Sequence, residues 1–156
     1  MTPVELQRLL SVTQYPQMTV NESVISRAWL MKHGLDFDRV EFNSLLGNSI
    51  ELGPEVDEVT RRQAAQISAK RSDIIAWHGN EATIVEVKPR LSFSALGQLL
   101  GYRLLFHLEH PEITNIHLVA IGHDASVDTP EVLLAHGAHV ELFPNVTLIG
   151  ARFGAP

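Results

Sequence analysis

Two short apolar segments joined by a tight turn form the clearest pattern in the chain. Residues 72–78 and 81–88 are rich in Ile, Val, Thr and Trp, which favour β-strands. The pair Gly79-Asn80 between them favours a two-residue turn, so the pattern predicts an antiparallel hairpin. In the register set by that turn, Asp73 lies directly opposite Glu86.

The segments on either side of this hairpin predict further helices and strands. We expect helices at 3–12, 21–33, about 92–110 and 130–136, and strands at 38–46 and 113–121, with one or two more within 138–149. Segment 47–70 stays open between a loop, a helix over 56–69 and a mobile basic stretch. The order helix, strand, hairpin, helix, strand predicts one α/β domain over 1–156, with helices flanking a mixed sheet. The strand at 113–121 is nearly all apolar, which indicates burial on both faces.

The hairpin register brings like charges together. Side chains alternate along a strand, so Asp73, Glu86 and Lys88 project from the same face. Opposed carboxylates, with Cβ atoms about 5 Å apart, repel unless they share a proton or hold a divalent cation. The pattern therefore suggests a Mg²⁺ or Mn²⁺ site with an ammonium group beside it, which suits phosphodiester hydrolysis. The alternative is a structural ion pair with Lys88 or Arg71, and a one-residue slip would separate the two acids.

The charge distribution adds a local basic region to an acidic chain. The formal net charge is −6, which argues against a sequence-independent coat on DNA. Between residues 61 and 103, however, seven Lys and Arg outnumber three Asp and Glu. This region suggests an anionic partner such as a DNA backbone, and the alternative is a solvated helix face. The candidate phosphate contacts are Arg61, Arg62, Lys70, Arg71, Arg90 and Arg103.

The spacing of these residues resembles a known family. Asp73, followed at the length of a hairpin by Glu86-Val87-Lys88 and then by an amphipathic helix, is similar to the PD-(D/E)XK nuclease superfamily. Ser72 stands where that family often has proline, so the sequence departs from the motif at this position. The resemblance implies a restriction-endonuclease-like αβββαβ core over about residues 20–122, with a C-terminal extension over 123–156.

Two further elements carry the resemblance. Gln98 and Tyr102, four residues apart on the next predicted helix, look like the Q-x-x-x-Y element of RecB-type members. Glu22 lies early on the helix 21–33, as an acid does in archaeal Holliday-junction resolvases, and its alternative role is to complement the helix dipole. Gly97 and Gly101 have the spacing that would let their helix lie close against the sheet.

The resemblance implies a divalent-metal-dependent deoxyribonuclease. It implies that Mg²⁺ or Mn²⁺ and DNA are its partners, and that it can form a homodimer, as relatives often do. The alternative is a catalytically inactive nucleic-acid-binding or assembly module on the same fold, and RNA is a further substrate to test. The implied catalytic residues are Asp73, Glu86, Lys88, Gln98 and Tyr102, and the implied metal ligands are Asp73, Glu86, the Val87 carbonyl and Glu22.

Cysteine content and the terminal pattern address location. The chain has no cysteine, which excludes disulfides and thiolate zinc sites and fits a reducing cytoplasm. Its first residues do not show a basic segment followed by an apolar run, so we expect no signal peptide. The apolar runs are too short to cross a membrane. We therefore expect a cytoplasmic protein.

Overall fold

Two helices precede the first strand, and a helix follows the hairpin, in this computed structural model, which describes residues 1–47, 53–62 and 69–150. The helices are α1 (Pro3–Leu10), α2 (Val20–His33), α3 (Phe93–Glu109) and α4 (Thr129–Ala135), with a 3₁₀ turn at Gly34–Asp36. The strands are β1 (Arg39–Leu46), β2 (Lys70–His78), β3 (Glu81–Leu91), β4 (Asn115–Ala125) and β5 (Ala138–Leu142). No helix in the described part of the chain is long and apolar enough to cross a membrane.

Segment 47–70 is described only in part. Residues 58–62 are helical, which agrees with the helix over 56–69 that was one of the open alternatives. Asp57 stands just before this helix, and its carboxylate accepts hydrogen bonds from the Thr60 amide and hydroxyl at 3.0 and 2.6 Å. Residues 63–68 of the predicted helix lie outside the described residues.

The five strands form one mixed sheet in the order β1-β2-β3-β4-β5. β2 is antiparallel to both β1 and β3, whereas β4 runs parallel to both β3 and β5. The hairpin register is the predicted one, with His78 opposite Glu81 and Ile75 opposite Ile84. The mixed α/β architecture is thus confirmed, and the described residues after α4, which end at 150, contribute one strand.

Helices cover both faces of the sheet. On one face, Ile25 and Leu30 of α2 pack in a buried cluster with Val85 of β3. On the other face, Leu99 and Phe106 of α3 pack in a second cluster with strand residues of opposite parity. β2 and β3 therefore place even and odd residues in different cores, which determines the face that each site residue occupies.

β4 lies between β3 and β5 and contributes to both cores. Leu118 and Ala120 are buried on the α3 side, whereas Val119 and Ile121 contact the cluster on the α2 side. The expected burial of this strand on both faces is thus confirmed. The strand runs to residue 125, four residues beyond the predicted end, because its final segment continues the parallel ladder with β3.

The predicted role of the α3 glycines is wrong. A Cβ atom added at Gly97 or Gly101 would meet nothing within 4 Å, and both residues are exposed. The helix instead packs on the sheet through Ala95, Leu99 and Phe106. The outer face of α3 also carries apolar side chains, Leu104 among them, so the apolar pattern did not distinguish the inner face from the outer one.

Candidate metal and catalytic site

The central acids lie on the α3 side of the sheet, at the end away from the hairpin turn. Asp73 has the same parity as Ile75 in β2, and Glu86 and Lys88 have the same parity as Ile84 in β3. Because side chains alternate along a strand, all three polar groups project toward α3. The structure thus brings together the three residues that the hairpin register placed on one face.

The backbone ladder ends one pair before the two acids. Ile74 and Val85 form the last backbone pair of β2 and β3. Beyond it, Oδ2 of Asp73 accepts a hydrogen bond of 2.8 Å from the Val87 amide. The register therefore leads to the predicted juxtaposition, but a side chain rather than a backbone pair joins the strands at Asp73.

Glu86 is a buried carboxylate with one close cation. Its side chain is 1% exposed, and Oε1 lies 2.6 Å from Nζ of Lys88. Apart from this ion pair, neither Glu86 oxygen has a hydrogen-bond partner among the described residues. Burial, together with the nearby charge of Asp73, raises the pKa of Glu86 to about 7.

The other two groups of this cluster are also perturbed. Burial raises the pKa of Asp73, although the hydrogen bond from Val87 and the charge of Lys88 act in the opposite direction. Burial alone would lower the pKa of Lys88, but the surrounding carboxylates, Glu86 first among them, raise it instead. Lys88 is therefore a cation throughout the neutral pH range, fixed beside two acids that ionise reluctantly.

Glu22 approaches this cluster from the opposite side of the sheet. It is the third residue of α2, and its carboxylate accepts a 2.7 Å hydrogen bond from the Thr19 amide in a capping box. Its charge also raises the pKa values of Asp73 and Glu86, as expected of a nearby acid. The role at the helix N-terminus that the sequence left as an alternative is thus present, and the Glu22 charge also acts on the two buried acids.

The acids are not assembled as a ready metal cage. Within residues 1–47, 53–62 and 69–150, no group of three or more His, Asp or Glu side chains is arranged to hold a metal ion. Lys88 lies against Glu86, and the Asp73 carboxylate is engaged by the Val87 amide. A cation would therefore have to displace or share these contacts.

Helix α3 supplies the two residues of the Q-x-x-x-Y pattern. Nε2 of Gln98 donates a 3.3 Å hydrogen bond to the hydroxyl oxygen of Tyr102. Tyr102 as a residue is 8% exposed. Burial raises the pKa of Tyr102, and the charges of Glu86 and Asp73 raise it further. The phenol therefore lies close enough to the carboxylates to respond to them and remains protonated.

Half of the predicted phosphate contacts are already engaged with acids. Arg61 and Arg62 both pair with Glu58, at 2.9 and 2.7 Å. Arg90, two residues beyond Lys88 on β3, pairs with Asp124 at 3.2 Å. These are exposed ion pairs, which contribute little to stability and can exchange partners.

The other three predicted contacts divide between the two ends of the sheet. Lys70 and Arg71 lie at the start of β2, near Asp73, and are exposed. Arg103 lines a cavity with Ile116 near the start of β4, six residues before the Gly122 that pairs with Lys88. Six strand residues span about 20 Å, so Arg103 lies at the far end of the sheet.

One residue beside the site was missed from the sequence. Asn43 in β1 has φ +55°, a left-handed conformation that is uncommon outside glycine. It faces Asp73 in register, between the pairs Phe42–Ile74 and Ser44–Ser72. An asparagine inside a strand pattern is the available signal, because asparagine adopts this conformation more readily than most residues.

Comparisons with known proteins leave the family open. No family model matches the chain, and no curated protein matches it. The fold is similar to a crystal structure described as a protein of unknown function, AF1548, at 10% sequence identity and a TM-score of 0.48. The similar region covers 78% of this chain and 57% of that chain. The chain thus spans little more than half the length of that protein.

Proposed function

We propose that this protein hydrolyses DNA phosphodiester bonds with the help of a divalent metal ion. The observation that carries the proposal is Glu86, a fully buried carboxylate whose oxygens have no hydrogen-bond partner among the described residues. It lies beside Asp73 and Lys88 at the open end of the sheet. A carboxylate is costly to bury, and the ion pair with Lys88 leaves the hydrogen-bonding capacity of its oxygens unused among the described residues, as a ligand site requires.

The donor set fits a hard cation. Magnesium and manganese prefer oxygen ligands, and magnesium usually retains several waters, so two carboxylates suffice from the protein. Asp73, Glu86 and the Val87 carbonyl would hold the ion, and Glu22, whose charge acts on both acids, would join them only by leaving its hydrogen bond to the Thr19 amide. When bound, the ion would lower the pKa of a coordinated water and polarise the phosphate.

The chain's own residues would orient and stabilise the reacting phosphate. Lys88 carries a fixed positive charge next to the carboxylates, where it can donate to a phosphate oxygen and offset developing negative charge. Tyr102 is protonated and linked to Gln98, so it can donate its hydroxyl hydrogen toward the same region. Both groups therefore supply donors in a partly buried environment, where such donors act most strongly.

The nearest exposed cations would hold the DNA backbone. Lys70 and Arg71 precede Asp73 on β2, and Arg90 follows Lys88 on β3, so all three lie at the end of the sheet away from the hairpin turn. Contacts of this kind position nucleic acid without reading its sequence. They would also make binding weaken steeply with salt.

A second candidate is a catalytically inactive nucleic-acid-binding or assembly module. The observation that favours it is the Lys88–Glu86 ion pair of 2.6 Å, which compensates the buried charge without a metal. In this case Glu86 and Lys88 would be structural.

A cleavage assay separates the two candidates. Linear and branched DNA, with RNA of the same sequence alongside, is incubated with the protein in Mg²⁺, Mn²⁺ or EDTA and resolved on a denaturing gel. The proposal predicts metal-dependent products that Glu86→Gln and Lys88→Met each reduce at least about a hundredfold, the usual size of such losses.

The matched control is Glu81→Gln, the same substitution at the hairpin end of the same strand. The Glu81 side chain is hydrogen-bonded to Asn115 and His117, at the end of β3 opposite to Lys88. The Glu81→Gln variant is therefore expected to cleave like the native protein. Binding of DNA without cleavage under any of these metal conditions would favour the inactive module. Cleavage of RNA but not of DNA would show that RNA is the substrate.

A further inference from the structure

The left-handed residue in β1 coincides with a break in the sheet at Asp73. Asn43 and Asp73 would pair in register, yet the β1–β2 ladder passes from Phe42–Ile74 to Ser44–Ser72 without them. A positive φ turns the peptide groups out of the ladder, as in a β-bulge. The break therefore has a local backbone cause in β1.

The second ladder is also absent at Asp73. The pairs of β2 with β3 begin at Ile74–Val85 and continue toward the hairpin turn. Asp73 thus pairs with neither neighbouring strand, although β2 lies between β1 and β3. Its backbone is free to tilt at the point where its side chain meets the site.

That freedom explains the hydrogen bond to Val87. The amide of a strand residue points sideways, within the plane of the sheet, whereas a side chain in a regular strand stands perpendicular to that plane. Oδ2 of Asp73 nevertheless accepts from the Val87 amide at 2.8 Å. A regular β1–β2 pair at Asp73 would hold the backbone flat and direct the carboxylate away from this amide.

A neighbouring cation secures the break. Nη1 of Arg71 donates a 3.1 Å hydrogen bond to the Asn43 carbonyl, one of the groups that a regular ladder would have paired. The left-handed turn is thus held from outside, by a side chain two residues before Asp73.

We propose that Asn43 is a positioning residue, whose left-handed backbone keeps Asp73 out of the β1–β2 ladder so that its carboxylate lies beside Val87 and Glu86. The metal-binding part of this inference rests on the proposed function, whereas the hydrogen bond to Val87 can be tested without a metal. The backbone conformation of Asn43, rather than its amide group, carries the effect.

Four variants test the inference. Asn43→Gly keeps the left-handed conformation at no steric cost, Asn43→Ala disfavours it, and the β-branched Asn43→Val disfavours it most. Ser44→Val places the same valine one position further along, in the regular part of the ladder, and serves as the control. Asn43→Ala keeps the series informative if Asn43→Val does not fold.

The first measurement is amide hydrogen exchange of Val87 by NMR in the metal-free protein, with the Val85 amide as an internal reference. We expect exchange at the Val87 amide to be about tenfold faster in Asn43→Val than in Asn43→Gly. The free-energy cost of the left-handed conformation for a non-glycine residue corresponds to about this change in population. Asn43→Ala should lie between them, and Ser44→Val should match the native protein. Equal exchange across the series would overturn the inference.

The second measurement is Mn²⁺ binding by calorimetry on the same variants. We expect affinity to follow the order native and Asn43→Gly, then Asn43→Ala, then Asn43→Val. Equal loss in Asn43→Gly would show that the amide group matters and would refute the backbone role. If the native protein itself binds no Mn²⁺, the proposed function fails, whereas the exchange result still decides the role of Asn43.

Discussion

At the scale of single residues, the site is a compromise between stability and the placement of charge. Glu86 and Asp73 are both buried, and burial is the first cause of their raised pKa values. Lys88 offsets part of this cost through its ion pair with Glu86. In the folded, metal-free protein, Glu86 and Asp73 are therefore harder to ionise than they are in the unfolded chain.

This arrangement predicts an unusual pH dependence of stability. The folded-state pKa of Glu86 is about 7, above its ordinary value of 4.5. Between these pH values the folded protein retains a proton that the unfolded chain loses, so the Glu86 contribution to unfolding free energy falls as pH rises. Urea unfolding in EDTA at pH 5.5 and pH 8 should show this decrease in the native protein.

In Glu86→Gln the decrease in unfolding free energy between pH 5.5 and pH 8 should be smaller. This variant should also be more stable than the native protein at pH 8. The measurement is again urea unfolding in EDTA, with Glu81→Gln as the control for loss of an exposed carboxylate on the same strand. A variant that is less stable than the native protein at pH 8 would mean that the Lys88 ion pair outweighs the burial cost.

At the scale of elements, α3 has apolar side chains on both its buried and its exposed face, so the sequence pattern does not show which face packs on the sheet. Its buried face carries Ala95, Leu99 and Phe106, while Phe93 and Leu104 are exposed on the outer side. The glycines at 97 and 101 lie on that outer side, so they weaken the helix without any packing that would require them.

Replacing glycine by alanine should therefore stabilise the protein at Gly97 and destabilise it at Gly34. Gly97→Ala, on the open face of α3, should stabilise the protein by roughly 0.5–1 kcal/mol, the difference in helix propensity. Gly34→Ala should destabilise it, because the added Cβ atom would lie 2.5 Å from a methyl group of buried Leu6. Thermal unfolding of both variants gives the comparison, and destabilisation by Gly97→Ala would mean that something covers this face.

At the scale of the whole molecule, the hairpin carried most of what the sequence could predict. The Gly79-Asn80 turn defines the register, and the register places Asp73 and Glu86 on one face. The break in the β1–β2 ladder at Asp73 could not be predicted, because it coincides with the left-handed backbone of Asn43 in a strand that precedes the hairpin. The pairing of Arg61 and Arg62 with Glu58 was missed because the charge count began at Arg61, although the spacing of three and four residues predicts these pairs on a helix.

The charge of the whole molecule leads to the last prediction. With a net charge of −6, the protein can attract DNA only through local basic groups, and the exposed cations Arg71 and Arg90 lie at the site end of the sheet. Arg71→Ala and Arg90→Ala should therefore weaken DNA binding and each reduce the salt dependence, by about one counterion in the slope of log affinity against log salt.

Arg103→Ala is the matched control, since it removes the same charge at the opposite end of β4 and should change affinity less. Fluorescence anisotropy with a labelled duplex, in EDTA to prevent cleavage and at several salt concentrations, measures all three variants. If Arg103→Ala weakens binding as much as the other two, the DNA path must extend along the outside of α3. Loss confined to the site end would instead place the phosphate backbone beside Asp73, Glu86 and Lys88, where hydrolysis requires it.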